Sequence, residues 1–426
     1  MAQNQLYIGD NADVMNDRHF VDKYNNSIGL IYIDPPYNTL SRKSYSDKDD
    51  SSDWYSFMKK RLLLSLPLMR DDAIILISID DNELANLQLC CNDVFGKTNF
   101  IGTFITKQSQ RSNSNLINTV HEYVLCYAKN KKCVKPFSIK RMDIPEQKEM
   151  INELQDNIRT IFRKDGRIAA EKELPRLIKQ ICKTRNITWL KNYSNIDSSG
   201  RIFFAMDLST PGHPRKVDIP EINLHLSPLP TRGWSTDARF IELHKKGRLY
   251  FKNGRPYSIK YLDESEDNVP SILNFYSRQG THDLKRLGLQ GLFDTPKPVE
   301  MLKFFIRMTH LDHSIILDYF GGSGSTGQAV YETNKEDGKN NHFVLIQKAE
   351  QVNKKSTAYT KCLELGVEPT IDKILERRLN TFLTKFGQPK DYTIIENKSS
   401  LAETVLSSDT PTYQNASSLP VLETHF

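Results

Sequence analysis

This 426-residue chain predicts an α/β protein: a mixed, mostly parallel sheet with helices on both faces. Residues 30–39, LIYIDPPYNT, and residues 314–333, SIILDYFGGSGSTGQAVYET, carry most of that expectation. Each runs from an apolar strand through an acid into a specialised turn. Their separation adds the rest. They lie near opposite ends of the chain with a polar, basic middle between them, so the sheet is expected to assemble from both ends around an insertion.

Leu30, Ile31, Tyr32 and Ile33 read as a buried strand, and Asp34 then sits at its carboxyl end, where open α/β sheets place their ligands. Pro35 and Pro36 stiffen the turn. Pro36 biases Pro35 towards extended backbone, and Pro35 lacks a donor but keeps a carbonyl oxygen with two lone pairs. Asp34 and that carbonyl can therefore both accept hydrogen bonds from one NH2 group, while Tyr37 offers a ring face for stacking. The plainer reading is a strand, a Pro-Pro turn and a surface tyrosine.

Further along, residues 74–79 read as a strand followed by Asp80, Asp81 and Glu83. These acids suggest either a metal site or, preferably, caps for the next helix. Residues 107–118, KQSQRSNSNLIN, are polar and basic between two strands, and His121 and Glu122 precede the strand at 123–127. From about 146 to 185 the chain is a charged helix, read either as a solvated face balanced by its own acids or as a phosphate-binding surface. GRIFFAMDLS and GRLYF are expected strands, with Trp189 and Trp234 in the core.

In the second stretch Ile315, Ile316 and Leu317 form the strand, Gly321, Gly322 and Gly324 the tight turn, and residues 327–331 the start of a helix. Gly322, Gly324 and Gly327 satisfy GxGxxG, so a dinucleotide-binding domain has to be weighed. Against it, the loop lies too near the C-terminus for a full doubly wound fold. The next strand, at 342–346, also ends in Gln347 where a ribose-binding acid would stand, with Glu350 three residues later. No GK[ST] follows, which excludes a Walker A loop. Asp318 remains, an acid at a strand end able to hold an ammonium group. Residues 350–386 look helical, with LERRLNTFL as an amphipathic end, and the Ser/Thr-rich tail beyond Lys398 is expected to be disordered.

Composition narrows the class. Hydrophobic residues make up 38% and charged residues 26%, values of a soluble globular protein. No run approaches the roughly 20 apolar residues of a membrane span, and MAQNQLYIGD has no signal-peptide pattern, so no membrane association and a cytoplasmic location are expected. Six cysteines without a CxxC pair indicate reduced thiols and no zinc ribbon. The net charge of +6 is modest, and its positives cluster in the middle of the chain.

Taken together, these residues resemble the beta class of amino-methyltransferases, and within it the adenine-specific modification subunits of type III restriction systems and their solitary relatives. The family's [DNS]PP[YFW] motif is Asp34, Pro35, Pro36 and Tyr37, and its FxGxG motif is Phe320, Gly322 and Gly324. GDN at 9–11, WYSFMKKRL from Trp54, ISIDDNELANL from Ile77, VFGKTNFI from Val94, HEYVLCYAKN from His121 and TPKP from Thr295 are similar to the same subfamily. The order, catalytic motif first and cofactor motif last, defines the class.

The resemblance implies a Rossmann-like S-adenosylmethionine-dependent methyltransferase fold with an inserted target-recognition domain. Its catalytic half would be 1–134, the recognition region 135–270, the cofactor half 271–386 and a tail 387–426. It implies adenine-N6 methylation of DNA by Asp34, Pro35, Pro36 and Tyr37, with the loop at 40–53, which contains Tyr45, closing over the base. Asp318, Phe320, Gly322, Gly324, Thr295, Lys297 and Glu350 or Gln347 would bind S-adenosylmethionine, with Lys297 helping to close that site. Lys107, Arg111 and His121 would meet DNA, and no metal is needed. A homodimer, a separate restriction subunit as partner and a bacterial cytoplasmic or nucleoid location also follow. Cytosine-N4 methylation, adenine methylation in RNA and a catalytically silent DNA-recognition subunit stay open.

Overall fold

The computed structural model describes residues 3–39, 53–107 and 117–397, which divide into two compact units, Met1–Pro136 with Pro270–Phe426, and Phe137–Val269. Nine strands, numbered in chain order, build the sheet of the first unit: β1 Asn4–Ile8, β2 Ile28–Ile33, β3 Met69–Ile79, β4 Phe100–Lys107, β5 His121–Ala128, β6 Ile272–Leu273, β7 Ile315–Asp318, β8 His342–Gln347 and β9 Tyr392–Glu396. Their order is β6-β4-β5-β3-β2-β7-β8-β1-β9. Only β5 runs antiparallel to its neighbours, β3 and β4; every other pair is parallel.

The central strands are buried on both faces, as all six residues of β2 show. Alternation along β2 separates two layers. Ile31 and Ile33 pack in one core with Trp54, Met58 and Leu62 of the helix Trp54–Ser65 and with Leu87 and Cys91 of the helix Leu84–Phe95. Tyr32 points the other way and stacks on Phe305 of the helix Val299–Met308 at 6.2 Å between ring centroids. Helices therefore cover both faces.

Register carries the functional consequence. Ile31 of β2 lies opposite Leu317 of β7, Asp318 opposite Leu345 of β8, and Ile8 of β1 opposite Gln347. Asp10, Asp34, Asp318 and Gln347 thus emerge at one carboxyl edge. Because β5 is antiparallel, its first residues, His121 and Glu122, arrive at that same edge, where Ile79 faces Tyr123.

Several expectations need correction. His121 and Glu122 lie inside β5 rather than before it. Residues 350–386 form two helices, Thr357–Glu364 and Ile371–Lys385, interrupted where Gly366 takes a φ of +62°. The helix after the glycine turn begins at Ser325, two residues early. The start of the expected tail is strand β9, paired in parallel with β1, because Tyr392 is buried and its neighbours complete the sheet edge. Glu83 occupies the cap position of Leu84–Phe95 without a capping hydrogen bond; its carboxylate accepts instead from Asn38 and Asn86. The loop at 40–52, including Tyr45, the stretch 108–116 and the residues from 398 onward lie outside the described residues.

The second unit pairs a long helix, Pro145–Arg185, with a four-stranded antiparallel sheet of Leu249–Lys252, Arg255–Tyr261, Ile202–Asp207 and Asn195–Ile196. The expected charged helix is broken at Gly166, whose φ of +85° is left-handed. Leu154, Ile158, Leu174 and Ile178 form its buried stripe against Ile202 and Leu262. Trp234 is buried beside Phe240, and Trp189 packs beneath the Arg141 guanidinium. The helix pairs Arg167 with Glu171 and Arg176 with Glu173, whereas exposed Arg163, Lys164, Lys172, Lys179 and Lys183 have no acidic partner among the described residues. No helix among the described residues is long and apolar enough to cross a membrane.

Candidate active site

The carboxyl edge of the large sheet opens into a cavity of about 1130 Å³. Its wall comes from the ends of β1, β2, β3, β7 and β8, the start of β5, and the 293–297 segment.

On one side stands the DPPY turn. Trp54 Nε1 donates to the Pro36 carbonyl at 2.8 Å and clamps the turn to the helix below. Tyr37 donates its hydroxyl proton to Asp34 Oδ1 at 2.8 Å. Lys297 reaches in from the TPKP segment, its Nζ 2.7 Å from the Tyr37 hydroxyl, 2.8 Å from Glu122 Oε2 and 3.1 Å from Asp34 Oδ1. Burial pulls the Lys297 ammonium down, but Asp34 and Glu122 outweigh it and hold the group well above its ordinary range. The Tyr37 phenol is raised by burial and then by the same two acids. Asp34 and Pro35 line the cavity, and neither Asp34 Oδ2 nor the Pro35 carbonyl oxygen has a hydrogen-bond partner among the described residues. Two acceptors are therefore left for a ligand.

On the other side lies the glycine turn. Gly322 and Gly324 take φ of +51° and +79°, conformations a side chain would strain. Gly322 N–H donates to Gln347 Oε1 at 2.7 Å, tying the turn to β8. Asp318 is buried and accepts from Phe320 N–H at 3.0 Å and Thr326 Oγ1 at 2.5 Å. Burial pushes its carboxyl up to about 7, against the pull of those two hydrogen bonds and with help from Asp34. A carboxylate has about four lone-pair sites, so accepting two bonds leaves room for a cationic ligand.

Support for this turn comes from residues that the sequence reading passed over. Arg378, fully buried on the helix Ile371–Lys385, donates to Ser323 and Ser325 hydroxyls at 2.8 and 2.7 Å and to Gln328 at 2.9 Å. It has no acidic ion-pair partner among the described residues, and burial pushes its guanidinium down to about 10. One signal existed: Arg378 falls on the apolar stripe of Ile374, Leu375, Leu379 and Phe382, where a solvated arginine does not belong. Asn11, from the GDN stretch, donates to the Tyr319 carbonyl at 2.6 Å and accepts from Arg61 at 2.6 Å, and Arg61 pairs with Asp10 at 3.3 Å.

Asp34, Pro35, Pro36, Tyr37, Thr295, Lys297, Asp318, Phe320, Gly322, Glu350 and His121 all line the one cavity. Gly324 sits just behind the wall, where an added Cβ would come 3.1 Å from Leu375. Lys297, expected to help close the cofactor site, places its ammonium beside Asp34, Tyr37 and Glu122. Gln347 uses both ends of its amide, on Gly322 N–H and the Lys348 carbonyl, and Glu350 lines the same cavity. Lys107 ends β4 opposite His121, whose Nε2 lies 2.7 Å from the Tyr123 hydroxyl. Arg111 lies outside the described residues. No cluster of three or more His, Cys, Asp or Glu among the described residues is arranged to hold a metal.

The DNA methylase family matches residues 28–358, well over half of the chain. The chain belongs to that family. This DNA methylase is 28% identical to the Mod subunit of the type III restriction-modification enzyme EcoPI from Escherichia phage P1, over 92% of its own chain and 64% of that subunit. It is 27% identical to the type II methyltransferase M.KpnI of Klebsiella pneumoniae, covering 88% of its own chain and 87% of that protein. It spans less than two thirds of the phage subunit's length. Among solved structures, the cytosine-N4-specific PvuII DNA methyltransferase aligns with 93% of this methylase and 95% of its own chain, at 10% identity and a TM-score of 0.41.

Proposed function

We propose that this DNA methylase transfers a methyl group from S-adenosylmethionine to the exocyclic N6 amine of an adenine in DNA. The observation that carries the reading is the pair of unpartnered acceptors, Asp34 Oδ2 and the Pro35 carbonyl, in the same cavity as the glycine turn and Asp318. One amine has two protons, and here are two acceptors.

The residues present fit the cofactor. Asp318 would offer a buried carboxylate to its ammonium group, the Gly322–Gly324 turn would let backbone approach closely, Phe320 and Thr295 would flank that end, and Glu350 would meet the ribose. When bound, S-adenosylmethionine supplies a sulfonium methyl group that passes to nitrogen as its carbon–sulfur bond breaks. The chain's own residues prepare the acceptor. Adenine's amine is a poor nucleophile because its lone pair is delocalised into the ring, and hydrogen bonds from both its protons to Asp34 and Pro35 favour the pyramidal form that attacks. The nitrogen then releases one proton, to Asp34 or to water. Reaching this amine requires flipping the base out of the duplex at a cost of a few kcal/mol, offset in part by stacking on Tyr37. Holding both reactants in one cavity supplies positioning worth several kcal/mol, up to about 7–11 in ideal intramolecular cases.

The unit Phe137–Val269 is the proposed target-recognition domain. It contains 24 Lys and Arg against 18 Asp and Glu, a net of +6 that equals the charge of the whole chain. A polyanionic partner matches that imbalance. Lys107, Arg111 and His121 are proposed as further DNA contacts. A separate restriction subunit belongs to the same reading, in line with the EcoPI protein's name as the Mod subunit of a restriction-modification enzyme, and a homodimer and action in a bacterial cytoplasm are proposed with it.

Purified protein incubated with methyl-labelled S-adenosylmethionine and unmethylated duplex DNA tests the proposal. Digestion to nucleosides should place the label in N6-methyladenine, and Asp34→Ala should reduce it by about 100- to 10,000-fold. Label in N4-methylcytosine would redirect the acceptor. Absence of label on DNA, with the cofactor bound, would favour RNA or a silent recognition subunit.

A further inference from the structure

We propose that Lys297 and Glu122 are positioning residues for the methyl acceptor, together orienting Asp34 and Tyr37 towards the flipped adenine. The inference rests on the functional reading above. A protonated lysine has three donors and no acceptor. Lys297 Nζ donates to the Tyr37 hydroxyl and Glu122 Oε2 at 2.7 and 2.8 Å and stands in ion-pair contact with Asp34 Oδ1 at 3.1 Å, so the ammonium is held among three oxygens. The Tyr37 hydroxyl, accepting from Lys297, must direct its own proton elsewhere, and Asp34 Oδ1 receives it at 2.8 Å.

The consequence falls on Asp34. Its Oδ1 accepts the Tyr37 proton and lies 3.1 Å from the Lys297 ammonium, whereas its Oδ2 has no hydrogen-bond partner among the described residues, so the carboxylate is held on one oxygen and presents the other. A carboxylate without that grip turns about its own axis and offers the amine no fixed partner beside the Pro35 carbonyl. Glu122 is the second anchor of the ammonium, and its Oε2 also lies 3.4 Å from the Tyr37 hydroxyl. The side chains of Lys297, Glu122 and Asp34 are 15%, 22% and 28% exposed, so their attraction is screened less than that of a surface pair. Neither Lys297 nor Glu122 is spent on the glycine turn or on Asp318, which separates this role from cofactor binding.

Lys297→Met and Glu122→Gln should be compared with wild type in two measurements, equilibrium binding of S-adenosylmethionine and steady-state methylation of DNA at saturating cofactor. Cofactor affinity should stay within about threefold, while kcat falls about 100-fold in Lys297→Met and about tenfold in Glu122→Gln. Retained cofactor binding also reports that each variant is folded; should Lys297→Met fail to fold, Glu122→Gln carries the test with its shape preserved. Loss of cofactor affinity with kcat intact would make Lys297 a cofactor residue and overturn the inference. Unchanged kcat in a variant that methylates as wild type does overturns it alone, whereas an inactive wild type overturns the functional reading and the inference with it.

Discussion

Asp318 serves two opposed conditions, burial and charge. Its strand-end position is legible from ILDYFGG, but its environment is not, because burial and the Thr326 and Phe320 bonds come from the folded turn. Burial raises its carboxyl to about 7, so the folded protein retains a proton there that an unfolded chain has lost. This contribution to stability is complete below the ordinary carboxylate range, near pH 4, and is lost as pH rises through about 7. An ammonium ligand needs the opposite, ionised form. Calorimetric binding of S-adenosylmethionine should therefore weaken about tenfold for each pH unit below 7, with proton release on binding, and Asp318→Asn should bind weakly with that pH dependence removed. A flat profile in the wild type would show that Asp318 does not meet the ammonium.

Among the elements, the short helix Arg278–Arg286 sets the position of Lys297 through a glycine. A Cβ added to Gly280 would stand 1.8 Å from the Pro296 carbonyl oxygen and 3.0 Å from the Lys297 carbonyl carbon, so helix and TPKP segment touch backbone to backbone. Gly280→Ala must push that segment away. A loss of about 1–3 kcal/mol in stability is expected, read as a lowered Tm, together with a fall in kcat larger than any change in cofactor affinity. Equal activity in Gly280→Ala would mean that Lys297 tolerates displacement. Arg378 acts similarly beneath the glycine turn: the amphipathic pattern of LERRLNTFL places its helix, yet only packing reveals that Arg377 is exposed and Arg378 buried against Ser323 and Ser325.

The whole chain divides its labour by charge. Phe137–Val269 carries the entire net positive charge, and the unit that holds the cavity is balanced. DNA affinity should accordingly fall steeply between about 50 and about 200 mM salt, with a slope near −0.9 per phosphate neutralised, while S-adenosylmethionine affinity stays nearly constant. Lys164→Ala, Lys179→Ala or Lys183→Ala should each lower that slope by about one where the lysine meets a phosphate, with little change in base preference. A salt-independent affinity would place recognition away from this unit.

Two kinds of information made this protein readable to different depths. The DPPY and FGGSG turns, the strands before them and the mixed sheet built from both ends could be read directly, because backbone restriction by Pro, freedom at Gly and apolar periodicity are local properties. The convergence of Asp34, Glu122 and Lys297 could not, since it depends on β5 entering the sheet antiparallel and on Gly280 seating the TPKP segment. The same holds for β9, whose pairing partner β1 lies at the other end of the chain. Hydrogen bonds between residues distant in sequence are decided by strand register and helix packing, and those are energies of the whole fold rather than of any short stretch.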